Sequence, residues 1–183
     1  DSGLLVSSLT AYQQYQENEA WTWEHHALLH ARAVAGSTPL RAEFEAVRSR
    51  VLTEAVRRDS LREEVRSMRE RMRRELSKAR EGEFDLKQGA GGIADIEFLA
   101  QYWTLREAAK QPIVLMFSDT IRQLETLASG DLVPQHTVDQ LTSAYRAYRA
   151  RSHHRSLREE GIVIADSEFV AEREGVCRIW AET

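Results

Sequence analysis

"DSLREEVRSMRERMRREL", residues 59–76, holds the most regular pattern in the chain and decides its class. Leu61, Val65, Met68, Met72 and Leu76 follow one another at steps of four, three, four and four, the repeat of a helix with one apolar side. Asp59 or Ser60 stands where an N-cap is wanted, and Glu63 and Glu64 suit the positive end of the helix dipole. A half-buried strand would alternate at every second residue, and this segment does not.

Upstream, residues 8–34 contain neither proline nor glycine. Asn18 caps a second segment, residues 19–34, ended by Gly36. There Trp21, Leu28 and Ala31 recur at helical spacing with Trp23, Ala27 and Val34 beside them, so the tryptophans are read as core; Glu24, His25 and Arg32 take the opposite face. Thr38 is the N-cap expected for the next helix, with Pro39 at its first position, where a missing N–H costs nothing. Downstream, "EGEFDLKQGAGG" breaks the pattern, and "FDLK", residues 84–87, is the one short alternating run that fits a strand. A helix over 93–109 follows, carrying Ile96, Leu99, Ala100, Trp103 and Leu105, and Pro112 stops it. Ser118 caps a short helix that ends before Gly130, another helix runs over 138–159, and "GIVIAD" is a loop leading to an amphipathic segment over 167–180. The expected architecture is an all-α bundle of six to seven helices, one helical domain over residues 1–183.

Composition agrees. A hydrophobic share of 42% in 183 residues supports one core, and 30% charged residues require much solvated helix surface. Cys177 is the only cysteine, which rules out an intrachain disulfide and a cysteine-rich zinc site and fits a reducing compartment. No apolar run approaches bilayer thickness and no leader pattern opens the chain, so no membrane is expected and the cytoplasm is the expected location. The start, "DSGLLVSS", lacks an initiator methionine, and a piece of a longer protein is expected. Residues 41–80 hold thirteen basic against eight acidic side chains, net +5, leaving −9 elsewhere. Arg62, Arg66, Arg69 and Arg73 share a helix face, but Glu63, Glu64, Glu70 and Glu75 interleave them. That stripe is read as a solvated or partner-docking surface rather than a nucleic-acid site.

"KQGAGGIADIEFLAQYW", residues 87–103, carries the candidate chemistry. Gly89, Gly91 and Gly92 allow close backbone approach, the amides opening the next helix can meet an anion, and Lys87 adds a point charge. The spacing matches neither GxxxxGK[ST] nor GxGxxG with its later acid, so phosphate cradle, metal site and plain helix start all stay open. Asp95 and Glu97 point roughly 160° apart on a helix, so one of them faces an interface or cleft. His26 and His30 have the spacing of a two-histidine metal pair without a third ligand, and no nucleophile is placed beside a base.

"NEAWTWEHHALLHARAVAG", residues 18–36, and "FDLKQGAGGIADIEFLAQYWTLR", residues 84–106, resemble the glutamine synthetase adenylyltransferase family. "LREEVRSMRERMRREL" and "SGLLVSSLTAYQQYQ" fit the same region, so the resemblance spans most of the chain. These bacterial enzymes transfer AMP from ATP to a tyrosine of glutamine synthetase and also remove it, using two related halves, each a nucleotidyltransferase domain followed by a helical domain. The resemblance implies the helical domain of the C-terminal, adenylylating half, because the removing half has "GGIREIEF" where this chain has Ala94 and Asp95. It implies Mg2+ and ATP for the full enzyme, with the metal held by aspartates of an upstream nucleotidyltransferase domain. This chain would then hold no catalytic residue and no metal ligand, bind neither cofactor tightly, and be inactive alone. The family motif falls on Lys87, Gly91, Gly92, Asp95 and Glu97, and on Glu19, Trp21, Glu24 and Arg32. The expectation is that Lys87 and the loop amides line the path of the nucleotide phosphates while Glu97 and Arg32 pair across a groove. The alternatives are the helical domain of the removing half, or a docking and regulatory module for glutamine synthetase or the PII signalling protein through Arg62, Arg66, Arg69 and Arg73.

Overall fold

A computed structural model describes residues 6–183; the first part of "SGLLVSS", residues 2–5, lies outside the described residues. The helices are α1 (Leu9–Asn18), α2 (Thr22–Leu29), α3 (Thr38–Arg50), α4 (Leu61–Leu76), α5 (Ile93–Glu107), α6 (Thr120–Ser129), α7 (Gln135–Ser156) and α8 (Val170–Glu182). A π-helical turn (Val51–Ala55) extends α3, and a 3-10 turn (Pro112–Leu115) follows α5. The all-α bundle is therefore correct, with eight α-helices among the described residues. Two short strands, β1 (Glu83–Asp85) and β2 (Val163–Ala165), pair antiparallel with Phe84 opposite Ile164. β1 overlaps the expected "FDLK" run only at Phe84 and Asp85 and begins one residue before it. "GIVIAD", read as loop, supplies its partner.

α5 is the axis of the bundle. Twelve of its fifteen residues are buried, and α2, α4, α6, α7 and α8 all pack on it, so the helix has no solvated face. The sequence shows only part of this, because Asp95, Gln101 and Thr104 are buried with the apolar residues.

Two expectations about helices are corrected. α2 ends at Leu29 and not near Val34, because the buried Arg48 of α3 donates to the carbonyls of Leu28 (3.0 Å) and Leu29 (2.8 Å), an interhelical cap on the open C-terminus. α4 is rotated from the apolar stripe: Leu61, Val65 and Arg69 are buried, Met68 and Met72 are half-buried, and Leu76 is exposed. The inward row runs 61, 65, 69, 73 at steps of four, so arginines continue what leucine and valine begin.

Candidate functional site

β1 ends at Asp85, and its buried carboxylate organises the loop that follows. Oδ1 accepts from the amides of Lys87 (2.9 Å) and Gln88 (2.8 Å), and Oδ2 from the amide of Lys78 beyond α4 (3.2 Å). The loop then closes on the helix start: Gly92 N–H donates to Gly89, Ile93 to Leu86 and Ala94 to Lys87. Gly91 has φ +77°, and a Cβ there would lie 2.5 Å from the carbonyl oxygen of Arg173, so both conformation and space require glycine.

Asp95 turns back into the same loop. Its Oδ2 accepts from Gly91 N–H at 2.7 Å; Arg69 Nε lies 2.7 Å from Oδ1, a close ion pair rather than an aligned hydrogen bond; Arg73 Nη2 reaches both oxygens at 2.9 and 3.0 Å. Arg69 also donates to the backbone oxygen (2.9 Å) and side chain (3.2 Å) of Gln88. Burial lowers the pKa of the Arg69 guanidinium, and the Asp95 carboxylate opposes that shift.

The position an external anion would take at this helix start is occupied by the chain's own carboxylate. The amides of Gly91, Gly92, Ile93 and Ala94 are all engaged internally, which corrects the expectation that they line a phosphate path. Lys87 differs. Its N–H and C=O are both hydrogen-bonded, yet its side chain is exposed and makes no ion pair among the described residues.

The remaining sequence-named residues do not join this cluster. Glu97 is half-buried and accepts from the Tyr145 hydroxyl of α7 at 3.1 Å. The expected Arg32–Glu97 pair is not formed: α2 stops short of Arg32, which is exposed on the following segment. Glu24 accepts from the Trp21 amide (2.8 Å) and the Tyr15 hydroxyl, and Glu19 is exposed. Of the arginine stripe, Arg62 alone is exposed; Arg66 donates to the carbonyl of Trp180 (3.2 Å), while Arg69 and Arg73 hold Asp95. A docking face made of all four is corrected, because a buried carboxylate demands cations beside it.

Trp21 and Trp23, read as core, are 66% and 57% exposed. With Met68, Arg71 and Met72 they line an open cleft of about 630 Å³ between α2 and α4. His26 and His30 are joined through Gln101. His30 Nδ1–H faces the carbonyl of Ser118 (2.6 Å), so its Nε2 accepts from the Gln101 amide (2.7 Å) and Gln101 Oε1 accepts from His26 Nδ1–H (2.8 Å). His26 Nε2 is left buried without a partner among the described residues, and burial pushes the imidazole pKa down to about 4. The i, i+4 spacing was the visible signal, but the bridging glutamine lies 71 residues beyond His30.

No three His, Cys, Asp or Glu side chains converge to hold a metal among the described residues. The buried aspartates beside the loop are already taken, Asp85 by amides and Asp95 by arginines, so they do not fit Mg2+. No helix is long and apolar enough to cross a membrane, among the described residues.

Residues 1–47 match the family model for glutamate-ammonia ligase adenylyltransferase, and residues 59–160 match that for PII-uridylyltransferase. The bifunctional glutamine synthetase adenylyltransferase/adenylyl-removing enzyme of Pseudomonas aeruginosa is 47% identical over 99% of this chain, that of Thioalkalivibrio sulfidiphilus 46% over 98%, and that of Pseudomonas putida 45% over 99%. The chain spans 20%, 18% and 20% of those relatives, about a fifth of their length.

Proposed function

Because the chain belongs to the glutamine synthetase adenylyltransferase family, we propose that it is a helical lobe of such an enzyme, in the half that attaches AMP to glutamine synthetase. The observation that carries this reading is Lys87, an exposed cation on a loop fixed on both sides, with no ion-pair partner among the described residues. In the transfer, a tyrosine oxygen of glutamine synthetase attacks the α-phosphorus of ATP and the bond to pyrophosphate breaks. In this reading the exposed Lys87 side chain faces the nucleotidyltransferase domain, where its ammonium offsets charge gathering on the leaving oxygens. ATP and Mg2+ are held mainly by a nucleotidyltransferase domain outside this chain, which is inactive alone. The partners are that domain, glutamine synthetase and the PII protein, in the cytoplasm.

The test incubates the full-length protein with glutamine synthetase, ATP and Mg2+ and weighs the synthetase by intact mass spectrometry beside a control with this chain alone. One added AMP with the full-length protein only is expected; Lys87→Ala slows that addition and leaves removal of AMP from modified synthetase unchanged. Slower removal with unchanged addition in Lys87→Ala transfers the lobe to the removing half.

A second reading, protein docking, is favoured by the Trp21 and Trp23 cleft rather than by the arginine stripe. Exposed tryptophans beside methionines are adaptable anchors for a partner. In that case the Trp21→Ala, Trp23→Ala double variant raises KM for glutamine synthetase and leaves KM for ATP unchanged; equal change in both would count against it.

A further inference from the structure

We infer that Asp85 is a positioning residue for Lys87, and this rests on the reading of Lys87 above. Nothing in the sequence singles out Asp85, which reads as one polar position of a short strand. In the structure it is 1% exposed and makes no direct ion pair among the described residues; its three hydrogen-bond partners are the main-chain amides of Lys78, Lys87 and Gln88, and its charge also favours the ionised form of the buried Arg69. A buried carboxylate whose hydrogen bonds all come from main-chain N–H groups fixes the direction of those groups.

Direction is what Lys87 needs. The Asp85 carboxylate holds the Lys87 amide from one side and Ala94 N–H holds the Lys87 carbonyl from the other. The Cα of Lys87 is therefore fixed between β1 and α5, and only its side chain retains freedom. An ammonium whose base is already ordered loses less entropy on meeting an anionic oxygen. The second oxygen of Asp85 reaches Lys78 just past α4, so the loop is registered against the helix that carries Arg69 and Arg73.

The experiment is a double-mutant cycle in the full-length enzyme, with steady-state kinetics for ATP and for glutamine synthetase measured on protein shown folded by circular dichroism. Asp85→Ala is expected to lower kcat/KM for ATP about tenfold by releasing the lysine, with KM for glutamine synthetase unchanged. In a Lys87→Ala background the same change has no further effect, since there is no cation left to aim. Asp85→Asn keeps one acceptor oxygen toward Lys87 and stays within about threefold of wild type. If Asp85→Ala does not fold, Asp85→Glu, which displaces the acceptor by one methylene, takes its place in the cycle. Wild-type kcat/KM in the displaced variant, or losses that multiply with those of Lys87→Ala, overturn the positioning role while leaving Lys87 in place. Unchanged kinetics in Lys87→Ala alone overturn the reading of Lys87 itself.

Discussion

Arg69 Nε lies 2.7 Å from Oδ1 of Asp95, with both side chains shut away from water. The pair joins the middle of α4 to the first turn of α5, and Gly91 N–H completes the shell of the carboxylate. Asp95→Ala leaves Arg69 buried without its counter-charge, and a loss of about 3–5 kcal/mol is expected in urea denaturation. Glu97→Ala, two residues on, removes only a half-exposed acceptor for Tyr145 and costs about 1 kcal/mol. Equal losses at the two positions would contradict this division.

Two glycines with the same backbone angle separate strain from crowding. Gly82 and Gly91 both have φ +77°, but nothing lies within 4 Å of a Cβ at Gly82, whereas at Gly91 the Arg173 backbone blocks it. Gly82→Ala is expected to cost about 1–2 kcal/mol from conformation alone. Gly91→Ala exceeds that by at least about 1 kcal/mol, since α8 or the loop must shift. Thermal melts of the two variants side by side provide the comparison.

His26 makes stability pH-dependent. Its pKa falls from 6.5 to about 4 on folding, with burial the chief cause and the Gln101 hydrogen bond opposing it. The unfolded chain thus takes up a proton first as pH falls. The contribution of neutral His26 is complete above about pH 6.5, declines below it, and at pH 5 is smaller by about 2 kcal/mol. Denaturation at pH 7 and pH 5 should show a drop that His26→Gln reduces; the same drop in that variant would assign the effect to other groups.

Arg48 caps α2 from another helix, and its Nη1 also reaches the carbonyl of Leu115 at 3.3 Å. Arg48→Met preserves most of the stem and strands the Leu29 and Leu115 carbonyls, while Leu28 keeps the Ala31 N–H, so a loss of about 3 kcal/mol is expected. Faster amide hydrogen exchange in the last turn of α2 would accompany it. Protection there equal to wild type would show that the helix ends without this cap.

Helices such as α4 were legible because an apolar residue recurs every three or four positions, and that period is local. "FDLK" and the glycine turn were legible for the same reason, as breaks in the period. Sequence also brought Lys87, Gly91, Gly92 and Asp95 together, since they lie within nine residues of one another. Which way α4 faces was not local. Counting apolar residues turns Met68, Met72 and Leu76 inward; the buried charge of Asp95 turns Arg69 and Arg73 inward instead, and it stands 22 residues beyond Arg73.

The same limit governs the candidate site. By itself the sequence determined an all-α chain, the loop that bears Lys87 and the family to which both belong. Only the tertiary structure decided that the loop amides are closed to an external anion by Asp95 and the loop's own carbonyls, that Arg32 and Glu97 do not meet, and that Trp21 and Trp23 face outward. The first two depend on which distant group reaches a polar atom, and the penalty for leaving a buried one unpaired is set by three-dimensional neighbours rather than by spacing along the chain.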